Sequence, residues 1–566
     1  MIFACFWIKK LEWRNFFERN EDILLISGAE IIIKCLVEQG VDLIFGYPGG
    51  QTLAIYDALY RQCDIRHILT ASEAGAAHAA DGFARTTGKT GVCISTSGPG
   101  ATNLVTGIAT AYMDSSPVVF ITGNVPLSQI GTDSFQEVDI TGITIPVTKH
   151  NVMVKSVDTL AEAIRGSFAI AAQGRPGPVL IDVPRDVQEA LCEYEYKTPD
   201  TNTSFEDLPR EEILSAWERI KTAQRPLVLC GGGVIRGDAA EEMLRFVEES
   251  AIPAVSTVMG TGSIPASHPN NIGIVGIHGG TAANYAFEQS DLIIAVGVRF
   301  SDRIVKPGTA GRNIIHIDID RAEIDKNIST ETKIVGDAKT ILAELANVCE
   351  KHSGGVWCAS GEEVRSGKSL RYVRPSDLAL ISDIFGEDVI VATDVGQHQM
   401  WVSEYIKFEK PKRFLTSGGL GTMGFGLGAA LGAALSEPGR PVILVTGDGS
   451  FKMNSSELYT VKRLGLPIVV IIMNNGTLRM VRQQQRQGYG ARFSQTDLEM
   501  NPDFSMFARA YGIDGYSVKS PVRFAETLRI VKEKGCAAVI DCKVDKNETA
   551  RVYKPRQNRN GANGGY

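Results

Sequence analysis

Two apolar segments of the chain end in residues suited to holding a cation that already carries phosphate. Residues 442–446 run into Gly447-Asp448-Gly449-Ser450, and residues 468–473 run into Asn474-Asn475-Gly476-Thr477. A hard, octahedral Mg²⁺ commonly takes few protein oxygens and completes its shell with phosphate and water. Asp448, the side-chain amide oxygen of Asn475 and a backbone carbonyl near Thr477 therefore form a candidate clamp. Gly449 lets a phosphate approach the main chain, and a helix starting beyond Ser450 would add N–H groups. A G-D-G triplet alone reads more simply as a strand-ending turn. The second strand with its paired asparagines is what favours a cofactor.

A second carboxylate stands far upstream. Residues 67–85 read as one helix of small side chains around Glu73. Small neighbours imply close packing, and a carboxylate held there needs a hydrogen-bond partner to offset its desolvation. A lone glutamate is otherwise an ordinary solvated helix residue, and its spacing alone does not decide between the two.

The Asp448-Gly449 and Asn474-Asn475 pair resembles the cofactor motif of thiamine diphosphate enzymes. Over residues 27–552 the resemblance sharpens to the acetolactate synthase (acetohydroxyacid synthase) catalytic large-subunit family. It is carried by Phe45-Gly46-Tyr47-Pro48-Gly49-Gly50, by Thr96-Ser97-Gly98-Pro99-Gly100-Ala101-Thr102-Asn103 and by Phe135-Gln136-Glu137. Thr393-Asp394-Val395-Gly396-Gln397-His398 and Gly421-Thr422-Met423-Gly424 extend it.

The resemblance implies a role for each of these residues. Glu73 would bond the N1′ nitrogen of the cofactor's aminopyrimidine and so promote loss of the C2 proton. Gln397, His398, Gly421, Thr422, Asp448, Gly449, Ser450, Asn475 and Met480 would contact thiamine diphosphate, and Met423 would prop its bent form. Mg²⁺ would sit on Asp448, Asn475 and Thr477. Phe135, Gln136, Arg185 and Gln484 would face the substrate, Gln136 with a catalytic part. Arg175, Gly232, Thr257, His278, Gly297, Arg299, Asp318 and Asp337 would hold FAD in a role without redox chemistry. The activity implied is decarboxylation of pyruvate and transfer of the two-carbon unit to a second pyruvate or to 2-oxobutyrate. The family's site lies between two copies of the chain, which implies a homodimer or homotetramer, with a small regulatory subunit as a further partner.

Departures from the family pattern bear on specificity. Ser301 replaces an acid, Gln51 a small residue, Arg185 a lysine, Arg479 a glycine and Gln484 a tryptophan. Arg185 keeps the charge of lysine but not its shape. With a polar Gln484, weak preference for 2-oxobutyrate is expected, since one methylene in an apolar pocket is worth about 1–3 kcal/mol. A pyruvate oxidase-like enzyme or a simple 2-oxo acid decarboxylase would share Glu73 and the metal motif, but the Phe135-Gln136-Glu137 stretch disfavours both. A catalytically silent nucleotide-binding protein would have no need of a carboxylate among alanines.

Rigid elements must hold these residues. Apolar, β-branched runs occupy 42–45, 91–96, 117–122 and 178–183, then 226–230, 291–298 and 313–318, then 388–392, 441–445, 467–473 and 537–542. Helix-like stretches separate them, the pattern of parallel sheets built from βαβ units. The expectation is an α/β protein of three consecutive doubly wound parallel-sheet domains. A pyrimidine-binding domain over 27–191, a Rossmann-like domain over 213–350 and a diphosphate-binding domain over 376–552 would be joined by linkers at 192–212 and 351–375. An extension over 1–26 and a tail over 553–566 would flank them.

Bulk properties agree with this. A chain of 566 residues suits three domains at about 150–200 residues each. The net charge of -7, without a basic stripe, speaks against nucleic acid. Ten cysteines without a C-x-x-C pair argue against a zinc site or a disulfide framework and fit a reducing compartment, so a cytoplasmic location is expected. Residues 1–8 are apolar but precede Lys9-Lys10, the reverse of a secretory signal, and are too short to cross a bilayer; no other segment is long enough.

Overall fold

The computed structural model describes residues 24–199, 208–304, 313–358 and 371–553. Most of the expected extension and tail, and part of each expected linker, lie outside the described residues. One compact unit is built around the first and third of three sheets, and a second unit around the middle one.

In the first sheet, β2 (Leu43–Tyr47), β3 (Arg66–Leu69), β4 (Gly91–Ser95), β5 (Val118–Asn124), β6 (His150–Met153) and β7 (Val179–Pro184) run parallel in the order β3-β2-β4-β5-β7-β6. A two-stranded antiparallel ribbon of β1 (Leu24–Ser27) and β8 (Leu191–Tyr194) accompanies it. The middle sheet contains β9 (Pro226–Cys230), β10 (Ala254–Ser256), β11 (Asn271–Ile274), β12 (Leu292–Val296), β13 (Asn313–Asp318) and β14 (Thr332–Val335), in the order β11-β10-β9-β12-β13-β14. The third contains β15 (Ile390–Thr393), β16 (Phe414–Leu415), β17 (Val442–Gly447), β18 (Ile468–Asn474), β19 (Asp514–Val518) and β20 (Ala538–Lys543), in the order β16-β15-β17-β18-β20-β19.

The first and third sheets thus share one winding. In both, the chain steps to one side with its second strand and crosses to the other side with its third. The direction of winding reverses between β2 and β4, between β15 and β17, and in the middle sheet between β9 and β12. At such switch points the loops leaving the carboxyl ends diverge and open a crevice.

The apolar runs read from the sequence coincide with the central strands. The structure adds β3, β6, β10, β11, β14, β16 and β19, and all of these except β10 lie at sheet edges. The segment read as one helix over 67–85 also divides, because β3 takes its beginning and the Glu73–Thr87 helix starts at Glu73 itself.

That helix packs against the Phe425–Ser436 helix at backbone distance. A Cβ on Gly82 would lie 2.4 Å from the Ala429 carbonyl oxygen, and one on Gly432 would lie 2.1 Å from the Ala79 carbonyl oxygen. Gly432→Ala is therefore expected to cost about 1–3 kcal/mol through forced separation of the helices, read as a lower urea midpoint.

A buried ion cluster ties the same helix to the third sheet. Arg85 donates to Asp81 at 2.7 and 2.8 Å, to Asp114 at 3.0 Å and to the Thr416 carbonyl at 2.7 Å. Asp114 in turn accepts from the backbone N–H groups of Gly418 and Gly419. Fully enclosed charges persist only when paired and hydrogen-bonded in this way. Among the described residues no helix is long and apolar enough to cross a membrane, and the nine described cysteines are free.

Candidate active site

Asp448 begins the Asp448–Asn454 helix at the carboxyl end of β17, beside the β15/β17 switch point. Its side chain is buried and accepts from Asn501 Nδ2 at 2.6 Å. Burial pushes its carboxyl above the ordinary range, against the opposing pull of that hydrogen bond. Asn501 also lies 3.4 Å from Asn474 Oδ1, while Asn474 Nδ2 donates to Asp541 at 2.8 Å.

On the neighbouring strand end, Asn475 Oδ1 accepts from the Thr477 N–H at 3.1 Å and from its hydroxyl at 3.0 Å. Residues 476–478 are pinned beside 496–498 by the Leu478 N–H to Thr496 and Leu498 N–H to Gly476 bonds, both 2.8 Å. Among the described residues no group of three or more His, Cys, Asp or Glu is placed to hold a metal. One carboxylate with amide and backbone oxygens is instead the donor set of a hard cation that brings its own phosphate oxygens.

Further residues converge on this edge. A Cβ on Gly449 would meet Leu478 Cδ2 at 2.6 Å and Met423 Cε at 3.8 Å, so Met423 lies over the Gly449 backbone. The Met423 segment is held from the first sheet's side by the Thr110–Thr422 hydroxyl pair at 2.7 Å, and from its own side by the Thr422 N–H to Ser417 bond. Gly421 is exposed beside it with φ +77°, and buried Ser450 bonds the Val395 carbonyl.

His398 is buried, and its ring lies against Gly447, where a Cβ would sit 3.0 Å from Nδ1. Burial pushes its pKa down to about 4, so the ring is neutral near pH 7. His398 Nε2 and Gln397 Oε1 are buried without a hydrogen-bond partner among the described residues. Two orphaned polar atoms mark a place for a bound polar group, and the side-chain-free backbone at Gly447 and Gly449 gives a diphosphate room to approach the main chain, so the residues present fit it.

The Arg479–Gly488 helix turns an unexpected side to this region. Gln484, the residue singled out in the sequence, is exposed. Its neighbour Gln483 is buried and accepts from Gln397 Nε2 at 2.6 Å, while Arg479 is buried one turn earlier and Met480 is half-buried.

Glu73 stands at the other edge of the same unit. It is the first residue of its helix, half-buried, and accepts from Asn103 Nδ2 at 3.1 Å. Asn103 ends the short Pro99–Asn103 helix that follows β4, beside the β2/β4 switch point. Gln136, at φ +64°, packs onto Gly98, the cap residue of that helix, and Phe135 is 85% exposed. Exposed Arg185 pairs with Glu189 at 2.8 Å. The hydrogen-bond partners of Glu73 and those of Asp448 do not overlap.

In the second unit, Gly232, Thr257, Gly297, Asp318 and Asp337 follow or end the carboxyl termini of β9, β10, β12, β13 and β14. Gly297 has φ +60° and lies so close to the 231–233 turn that a Cβ on Gly231 would be 2.0 Å from its carbonyl oxygen. These two glycines are thus demanded by backbone packing. Thr257 and Asp337 cap the helices that follow them. His278 Nδ1 lies 2.7 Å from the Arg551 carbonyl, and the Arg299 carbonyl accepts from Asn327. Arg175 belongs to the other unit, where it bonds Ser115.

Sequence reasoning missed Asn501, Asn103 as a partner of Glu73, Gln483, and a buried glutamate, Glu457. Asn103 ends a motif already noticed. The others stand in polar stretches with no local pattern to mark them.

Three family models match the chain. They are the thiamine pyrophosphate enzyme N-terminal TPP binding domain over residues 26–143, the central domain over 213–345 and the C-terminal TPP binding domain over 394–542. A probable acetolactate synthase large subunit from Methanocaldococcus jannaschii is 44% identical over 560 residues, covering 94% of each chain. An acetolactate synthase from Mycobacterium bovis is 43% identical over 542 residues, covering 91% of this chain and 88% of the relative. The acetolactate synthase isozyme 2 large subunit of Escherichia coli is 44% identical over 505 residues, covering 87% of this chain and 91% of the relative. With the glycine-floored Asp448 edge, the Glu73–Asn103 pair and this similarity over most of its length, the chain belongs to the acetolactate synthase large-subunit family of thiamine pyrophosphate enzymes.

Proposed function

We propose that this chain decarboxylates pyruvate and joins the two-carbon unit to a second 2-oxo acid, using thiamine diphosphate, Mg²⁺ and a flavin that is not consumed. The observation that carries this is the pairing of chemically matched sheet edges: a half-buried carboxylate steered by an amide at one, and a glycine-floored acid at the other. Bound, thiamine diphosphate supplies a nucleophilic carbon and an electron sink for decarboxylation. Asp448, the Asn475 amide and the Thr477 backbone would hold Mg²⁺ with the diphosphate, with Gln397 and His398 lining the same strand end. Met423, lying over Gly449, would support the cofactor's rings. Glu73, aimed by Asn103, would hold the proton at the aminopyrimidine nitrogen. Phe135 and Gln136 border the substrate's entry, with Arg185 further out.

That the two edges share no hydrogen-bond partner supports a site completed between two copies of the chain. Exposed Tyr47, Leu53, Phe135, Leu420 and Met453 on these segments support such a homodimer. The relatives' names speak of large subunits, which supports a small regulatory partner here too, and the free cysteines support a cytoplasmic setting. The test is incubation with pyruvate, scoring acetolactate as acetoin after acid treatment alongside acetaldehyde and acetyl phosphate. Predominance of either of the last two would replace this reading with that of a simple decarboxylase or an oxidase.

For the flavin, support comes from the strand order of the middle sheet and from Thr257, Asp318 and Asp337 at the ends of its strands. Purified protein is expected to show flavin absorbance that survives turnover unchanged. A colourless preparation, fully active and indifferent to added FAD, would reject it.

Gln484 is proposed to set acceptor choice. It is exposed in the single chain, and an indole there would offer apolar surface to an acceptor's extra methyl group. Gln484→Trp is expected to shift the product ratio toward 2-aceto-2-hydroxybutyrate by about tenfold or more in competition between pyruvate and 2-oxobutyrate, the scale of one methylene in an apolar pocket. An unchanged ratio in a folded variant would remove Gln484 from this role.

A further inference from the structure

Glu457 is completely buried, on the Ser455–Glu457 turn that continues the Asp448–Asn454 helix. No cation pairs with it among the described residues. Its carboxylate instead accepts from the backbone N–H of Ala71 at 3.0 and 3.1 Å, and from the N–H of Ser72 at 3.0 Å. The Ser72 hydroxyl at 3.2 Å and the Thr460 hydroxyl at 2.7 Å complete its shell. Burial pushes this carboxyl above its ordinary range while the donors pull the other way. Enclosing a carboxylate is costly, and here the whole compensation comes from the two residues that immediately precede Glu73 and from one neighbouring hydroxyl.

The hydrogen bonds run in one direction. Ser72 caps the Glu73 helix, its Oγ accepting from the Gly75 N–H at 3.1 Å. The same Oγ donates its proton to Glu457, so its lone pairs are turned toward the helix. Glu457 thereby fixes both the backbone entering the helix and the orientation of its cap. Gly75 leaves the space this requires, since a Cβ there would lie 1.9 Å from Glu457 Oε1.

We propose that Glu457 is a positioning residue for Glu73, a clasp that sets the direction in which the first helical turn presents its carboxylate. The proposal rests on the reading of Glu73 as the proton-holding group. It also means that one short segment serves two ends, with Asp448 at its start on the metal edge and Glu457 at its finish on the Glu73 edge.

The test uses the loaded holoenzyme and the apoprotein together. In the holoenzyme, hydrogen–deuterium exchange at C2 of bound thiamine diphosphate is followed by NMR after acid quench. In the apoprotein, backbone amide exchange is followed over residues 70–76. Glu457→Gln retains one acceptor oxygen but turns an NH₂ toward donors. It is expected to slow C2 exchange by about 10²-fold, the scale of a misplaced catalytic group, to lower kcat without raising KM for pyruvate, and to unprotect the 70–76 amides. Thr460→Val, a milder loosening of the same carboxylate, should move all three readouts in the same direction by less. It carries the test if Glu457→Gln does not fold. In a Glu73→Gln background, Glu457→Gln should slow C2 exchange no further, because a residue acting through another has nothing left to position. Full additivity in that background, or normal C2 exchange in folded single variants, would overturn the clasp. Normal C2 exchange in Glu73→Gln alone would overturn the reading of Glu73, and the clasp with it.

Discussion

Glu73→Gln is expected to preserve the fold and the binding of thiamine diphosphate while lowering turnover by about 10²–10⁴-fold, the usual contribution of a positioned acid–base group. The substitution is nearly isosteric. Asn103 Nδ2 now donates to a carboxylate oxygen at 3.1 Å and can donate to the amide oxygen instead, so the helix start and its cap remain in place. What disappears is an oxygen able to hold and release a proton at the aminopyrimidine nitrogen. Cofactor titration by fluorescence quenching and steady-state turnover on pyruvate separate the two effects. Near-normal turnover in a correctly assembled variant would take Glu73 out of the chemistry.

The second large effect lies at the other edge. Asp448→Ala removes the only carboxylate among the proposed Mg²⁺ oxygens. Loss of groups that merely support a metal ligand commonly costs 10–100-fold in affinity, so loss of the ligand itself is expected to raise the half-activating concentrations of Mg²⁺ and thiamine diphosphate together by at least about 10²-fold. Asn501→Ala is a graded control. Its amide holds Asp448 at 2.6 Å from a loop fifty residues on, and its removal should produce a smaller loss of the same kind. Unchanged activation by Mg²⁺ in Asp448→Ala would mean that the metal sits elsewhere. Unchanged activation in Asn501→Ala alone would mean that β17 and its helix orient the carboxylate unaided.

The central strands were legible in the sequence because each is buried on both faces and so must be apolar without interruption. β5, β17 and β18 are examples, with every residue buried. Edge strands such as β3, β6 and β14 keep contact with solvent on one side, so their apolar residues are diluted and no run survives to be read. The Asp448 and Asn475 strand ends could be placed at one edge for the same reason, since their positions follow from two adjacent and easily recognised strands. The small-residue helix containing Glu73 could be recognised as closely packed, although not what it packs against.

Sequence by itself therefore determined the layered α/β architecture and the chemistry available at each strand end, because both are written in contiguous residues. Only the tertiary structure decided which distant side chains complete that chemistry. Asn501 reaches Asp448, Gln483 rather than Gln484 meets Gln397, and Glu457 clasps Ala71 and Ser72 from nearly four hundred residues away. Isolated polar residues in polar stretches carry no periodicity. Their roles arise from folding, which removes water from them and leaves one another as the available partners.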